Sequence, residues 1–174
     1  MGTIQYDLTK IKAFVFDVDG VLSPAFVPMH PRGEPMRIIN TKDGYAMQLA
    51  AKKGYILGVI TGGESAAIRM RLENLGFTHI YTKSKNKINE LNHFIQETGL
   101  SLEEICYVGD DIPDYRIMQM VGLPVCPSDA APEIKEISGY ISPNIGGMGV
   151  GRDIIEQVMK AQGKWMQGDE AFEW

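Results

Sequence analysis

Strand-length apolar runs recur along this chain at Ala13–Phe16, Tyr55–Ile60, His79–Tyr81, Ile105–Val108 and Leu123–Cys126, with Tyr140–Ile141 a sixth. Most lack apolar–polar alternation, as strands covered on both faces do. Helical spacing fills the gaps: Ile68, Leu72 and Leu75 follow i, i+4, i+7, and Ile88, Leu91 and Ile95 follow i, i+3, i+7. Gly54, Gly76, Gly99 and Gly122 stand where helices should stop, and Ser101 with Glu104 forms a capping-box pattern. Regular alternation of strand and helix predicts an α/β fold, a parallel sheet flanked by helices. The length of 174 residues suits one domain spanning 1–174, and no repeat or linker divides it.

One segment breaks the rhythm. Residues 24–39 contain four prolines and a central Pro-Arg-Gly-Glu turn signal, which predicts a projecting β-hairpin. Its Phe26, Val27, Met29, Met36, Ile38 and Ile39 would be partly exposed on a monomer, and such surfaces usually mark contacts. The tail, 164–174, carries Trp165 and Trp174, and two large aromatics suggest that it docks. The formal net charge of −5 argues against nucleic acid or an anionic membrane as the main partner. No apolar run reaches the roughly 20 residues that span a bilayer, and the N-terminal residues lack a signal-like apolar centre, so the cytoplasm is the expected location. Cys106 and Cys126 each lie in an apolar run and are expected to be buried free thiols.

In open parallel sheets, ligands bind beyond the carboxyl ends of the strands. Here the first strand runs into Asp17-Val18-Asp19-Gly20, the second into Thr61-Gly62-Gly63, and the fourth into Gly109-Asp110-Asp111, with Asp114 following. Lys87 falls in the first turn of the helix before the fourth strand. Crowded carboxylates repel unless a cation joins them. Asp17, Asp110 and the backbone carbonyl of Asp19 offer the hard oxygen ligands that suit Mg²⁺. Thr61, the following N–H groups and Lys87 would hold phosphoryl oxygens. Asp17 is then the expected nucleophile, and Asp19 the group that protonates the leaving alkoxide and later deprotonates water. Asp111 and Asp114 are expected to position Lys87 or the waters of the metal, although Asp114 equally fits an ordinary helix-start charge.

The DVDGVL, TGG, NK and GDDIPD segments, in this order after these strands, resemble the four motifs of the haloacid dehalogenase superfamily. The second aspartate of the first motif looks like the phosphatase and phosphomutase pattern. The hairpin, the absence of a cap domain, Asp43-Gly44-Tyr45, Arg71 before Leu75-Gly76, Asn86-Lys87 and the Gly-Gly-x-Gly before Arg152 resemble the 3-deoxy-D-manno-octulosonate 8-phosphate phosphatases. That resemblance implies a Rossmann-like capless fold and a Mg²⁺-dependent hydrolase working through an aspartyl phosphate in lipopolysaccharide precursor synthesis. It also implies a homotetramer whose hairpins pack together and whose subunits complete one another's sites. By the same resemblance Gly62, Gly63, Asp43, Arg71 and Asn86 lie near the substrate.

Three elements depart from the family pattern. Ser23-Pro24-Ala25 replaces Thr-Asp-Gly, Gly63 and Glu64 stand where an arginine is common, and Met148 interrupts the Gly-Gly-Arg-Gly element. The last two each remove a cation that could meet a sugar carboxylate. A nine-carbon keto-acid 9-phosphate is therefore an alternative substrate, and a non-catalytic scaffold an alternative from another class. Arg71 taken alone could form a surface pair with Glu64 or Glu73. The run 146–151 is expected to be a flexible substrate-side or subunit-contact loop.

Overall fold

The computed structural model describes residues 4–173. Its elements run β1 (Ala13–Phe16), α1 (Thr41–Lys52), β2 (Ile56–Ile60), α2 (Ala66–Asn74), β3 (His79–Tyr81), α3 (Lys87–Thr98), β4 (Ile105–Val108), α4 (Tyr115–Met118), β5 (Leu123–Cys126), α5 (Pro132–Ile137), β6 (Tyr140–Ile141) and α6 (Val150–Ala161). The strands form one six-stranded sheet in the order β3-β2-β1-β4-β5-β6, and every neighbouring pair is parallel. The expected parallel α/β architecture is what forms.

Burial explains why β1 reads as a continuous apolar run. Phe14 and Phe16 pack on the face covered by α1 and α6, with Met47, Leu49, Ile154 and Val158. Ala13 and Val15 face the opposite layer, with Leu91, Phe94, Ile117 and Met118. Each face of the strand is therefore dry. Phe16 pairs with Val59 on one side and Val108 on the other, so β1, β2 and β4 end nearly level. Asp17, Thr61 and Gly109 are thereby delivered to one edge of the sheet.

Several features differ from expectation. In segment 24–39 a single antiparallel bridge, Met29 to Pro35, replaces a two-stranded ladder. Its prolines, Pro24, Pro28, Pro31 and Pro35, remove the N–H donors that a ladder needs. Phe26 is 91% exposed, and Met29, Met36 and Ile38 are exposed with it. Gly146 and Gly147 donate to Asp129 and Val21, so the glycine-rich run packs against the loop after β1. The expected Ser101–Glu104 capping box does form, around a single 3₁₀ turn, Leu102–Glu104.

The tail docks on its own chain. Trp165 is buried edge-on to Tyr45, the Tyr45 hydroxyl donates to the Ala171 carbonyl, and Lys53 pairs with Glu170 at 2.5 Å. Trp174 lies outside the described residues. Cys106 and Cys126 are buried and free. No helix among the described residues is long and apolar enough to cross a membrane.

Candidate active site

Asp17 is the first residue beyond β1, and its N–H donates to the Val108 carbonyl at 2.9 Å. Its Oδ1 accepts from the Val18 N–H at 2.6 Å, and its Oδ2 lies 2.9 Å from Lys87 Nζ. Lys87 opens α3, where the Asn86 side chain caps the helix by accepting from Ile88 N–H at 3.4 Å. The ammonium also donates to Asp114 Oδ1 at 2.6 Å. That oxygen accepts from the Tyr107 hydroxyl at 2.6 Å as well, while Asp114 Oδ2 takes the Asp110 N–H at 3.1 Å. Both Asp114 oxygens are thus engaged in holding Lys87 and the start of the β4 loop.

Charge does not balance here. Asp17, Asp110 and Asp114 each offer an oxygen within 4.8 Å of the others, with one ammonium among them. Burial pushes Asp17 up to about 6; Lys87 opposes that shift and Asp114 adds to it. Burial and then Asp17 push Asp110 up to about 8. Burial would lower Lys87, but Asp17 and Asp114 outweigh it and hold the ammonium above its usual range. Residual negative charge on hard oxygens is what a divalent cation such as Mg²⁺ relieves, so the donor set fits one. Gly20 belongs to this fit: at its φ of +86° only glycine is unstrained, and a Cβ there would overlap the Asp110 carboxylate.

A cavity of about 550 Å³ opens over this cluster, lined by Asp17, Asp19, Thr61, Gly62, Gly63, Asn86 and Lys87 among others. Thr61 Oγ1 accepts from the Gly63 N–H at 3.2 Å, which bends the loop after β2 toward the carboxylates. Asp19 carries a partner that strand-end reasoning did not supply. Arg37, from segment 24–39, spans its carboxylate with Nε at 2.7 Å from Oδ1 and Nη2 at 2.8 Å from Oδ2. Tyr107 was also missed; a tyrosine in an all-buried strand needs a polar partner for its hydroxyl, and that was the available signal.

Other expected site residues lie elsewhere. Asp43 is fully buried, accepts from Arg152 N–H at 2.7 Å and leaves Oδ2 without a hydrogen bond. Burial pushes it up to about 6, against the backbone donors at the start of α6. It serves the first turn of α6 rather than lining the cavity. Arg71 does not line it either; its guanidinium lies against Gly44 of α1. Neither expected surface pair of Arg71 forms: Glu64 joins Lys83 at 2.5 Å and Glu73 joins Arg69 at 3.8 Å. Asp111 is exposed and stands outside the carboxylate cluster. Arg152 lies over the rings of Tyr45 and Trp165, at 5.7 and 5.3 Å from their centroids.

The haloacid dehalogenase-like hydrolase family matches residues 64–154. The 3-deoxy-D-manno-octulosonate 8-phosphate phosphatase of Escherichia coli is 33% identical over 155 residues, covering 89% of this chain and 82% of that protein. The chain belongs to the haloacid dehalogenase-like hydrolases. Solved structures agree with this family. The corresponding phosphatase from Yersinia pestis superposes with a TM-score of 0.88 at 29% identity, covering 91% of this chain and 85% of that one. The Moraxella catarrhalis phosphatase, in complex with magnesium, phosphate and KDO, gives 0.86 at 30% identity with 90% of each chain covered. In this chain the aspartate at the end of β1 lies beside a carboxylate cluster held by Lys87.

Proposed function

We propose that this hydrolase cleaves 3-deoxy-D-manno-octulosonate 8-phosphate to the free sugar acid and phosphate, using Asp17 as nucleophile. The observation that carries this reading is Asp17 itself, held by Lys87 at the floor of a cavity whose wall includes Asp19 and Thr61. Asp17 Oδ attacks phosphorus in line, giving an aspartyl phosphate and releasing the alkoxide. Asp19 supplies the proton to that alkoxide and, once ionised, accepts one from the attacking water. Lys87, Thr61 and the Gly62 N–H would meet the phosphoryl oxygens and stabilise charge that builds on them, with Gly63 shaping the loop beside them. Asp17, Asp110 and the Asp19 carbonyl would hold Mg²⁺, which offsets repulsion between carboxylate and phosphate. Asp114 keeps Lys87 in place.

The family of the relatives supports the eight-carbon substrate. The two grounds for a nine-carbon alternative weaken in the fold: Lys83 neutralises Glu64, and Met148 does not line the cavity. The complete Asp17, Asp19, Thr61, Lys87 and Asp110 set speaks against a scaffold. Exposed Phe26, Met29, Met36 and Ile38 support assembly through segment 24–39, with a cytoplasmic homotetramer as the proposed form.

Phosphate release with Mg²⁺ across eight- and nine-carbon keto-acid phosphates tests the reading. Preference for the eight-carbon substrate, abolished by EDTA and restored by Mg²⁺, is the expected result. Turnover confined to other phosphate esters would reassign the substrate, and none at all would remove the enzyme.

A further inference from the structure

Asp19 lines the cavity apart from the carboxylates that Lys87 holds, and its environment is set by segment 24–39. Arg37 reaches it with a two-pronged contact, 2.7 and 2.8 Å, and the arginine side chain is only 7% exposed while that of Asp19 is 36% exposed. Such forks are directional as well as strong, because two parallel N–H···O bonds fix the plane of the carboxylate.

Three features deliver the arginine. Ser23 is 1% exposed; its Oγ accepts from the Ile38 N–H at 3.2 Å, while its carbonyl accepts from the Gly20 N–H at 2.9 Å. The loop that carries Asp19 and the extended segment that carries Arg37 are therefore tied through one residue. Gly63 leaves room for the guanidinium, since a Cβ there would overlap Nη2. The Glu64 carbonyl accepts from Nη1 at 3.4 Å and closes the cradle. Two of the departures from the family pattern, Ser23 and Gly63, thus surround the same side chain.

We propose that Arg37 is a positioning residue that aims Asp19 for the second half of the reaction, an inference that rests on the phosphatase reading above. A carboxylate with a guanidinium across both oxygens is presented as an acceptor, with a lone pair on each oxygen still free. In hydrolysis of the aspartyl phosphate, the water oxygen bonds to phosphorus and its proton passes to Asp19. The bond between Asp17 Oδ and phosphorus breaks, and Asp17 returns as a carboxylate. Losing the fork leaves Asp19 to rotate and slows this step. Formation of the aspartyl phosphate from an aryl phosphate, whose leaving group needs no proton, does not draw on Asp19.

The test compares wild type with Arg37→Met and Arg37→Lys in Mg²⁺, using p-nitrophenyl phosphate with rapid mixing, then the eight-carbon keto-acid phosphate and glucose 6-phosphate. For Arg37→Met on the aryl substrate, kcat should fall roughly tenfold or more. KM should fall in parallel, so kcat/KM moves by no more than about twofold. A nitrophenol burst close to the enzyme concentration should precede the slow phase. Arg37→Lys keeps the charge without spanning both oxygens, and should show the burst with a smaller loss; it also serves if the methionine variant unfolds. Equal losses of kcat/KM on all substrates without a burst would make Arg37 merely structural. Loss confined to KM for the keto acid would make it a reader of the substrate carboxylate. Either result overturns the proposal, whereas a wild type inactive on every ester overturns the phosphatase reading itself.

Discussion

Asp17 illustrates how one residue can be prepared for chemistry by its neighbours. It is buried and faces like charges in Asp110 and Asp114; burial raises its carboxyl to about 6, and a lysine that Asp114 and Tyr107 hold from behind opposes that shift. Asp17→Asn keeps the shape and removes the proposed nucleophile. Phosphate release should drop by roughly a thousandfold or more, while the melting temperature by circular dichroism stays near that of wild type. Asp43 shows the same burial with a structural outcome. Its folded value near 6 stands above the ordinary 3.8, so the folded state keeps this proton longer than the unfolded chain does. That contribution therefore favours folding at low pH and is lost as pH rises from about 4 to about 6, levelling beyond it. Denaturant unfolding of Asp43→Asn against wild type should show the variant gaining roughly 2–3 kcal/mol across that window. A flat difference would contradict the assignment.

At the scale of elements, the helices do two separate jobs. The start of α3 presents Lys87 to the cavity, whereas α1 and α6 pack together and hold the tail. Arg152 lies over the rings of both Tyr45 and Trp165, and Tyr45 reaches the Ala171 carbonyl, so the tail is fastened to α1. Trp165 is 8% exposed. Trp165→Ala should cost about 2–4 kcal/mol in chemical denaturation, and kcat/KM at a temperature where the variant is folded should change little. A loss of activity without a loss of stability would show that the tail acts on the site.

For the whole molecule, segment 24–39 links surface to site. Met36 and Ile38 point outward on either side of Arg37, which points inward to Asp19. If the exposed apolar side chains join copies of the chain, assembly also steadies the extended segment that carries Arg37. Phe26→Ser, at a position 91% exposed, should lower the mass seen by light scattering while leaving the folded far-ultraviolet spectrum intact. A wild type that elutes as a monomer at all concentrations would remove the oligomer.

Much of the candidate site was readable from residues alone because its proposed groups sit at ends of β1, β2 and β4. A dry parallel strand is recognisable as an apolar run, and the residue that ends it must lie at the carboxyl edge of the sheet; Asp17, Thr61 and Asp110 follow from that. Lys87 follows from the helix start that Asn86 caps. Arg37 could not be found this way, since it lies in a proline-broken segment with no period, and where that path returns depends on Ser23 and on the space left at Gly63. Asp43 sits at the first turn of α1, and its meeting with the Arg152 N–H depends on how α6 packs over that turn. Sequence by itself determined the order of the strands' contents and the chemistry at their ends, because both are local. Tertiary structure decided which distant side chains meet those ends, because such meetings depend on how non-periodic segments and helix pairs fill the remaining space.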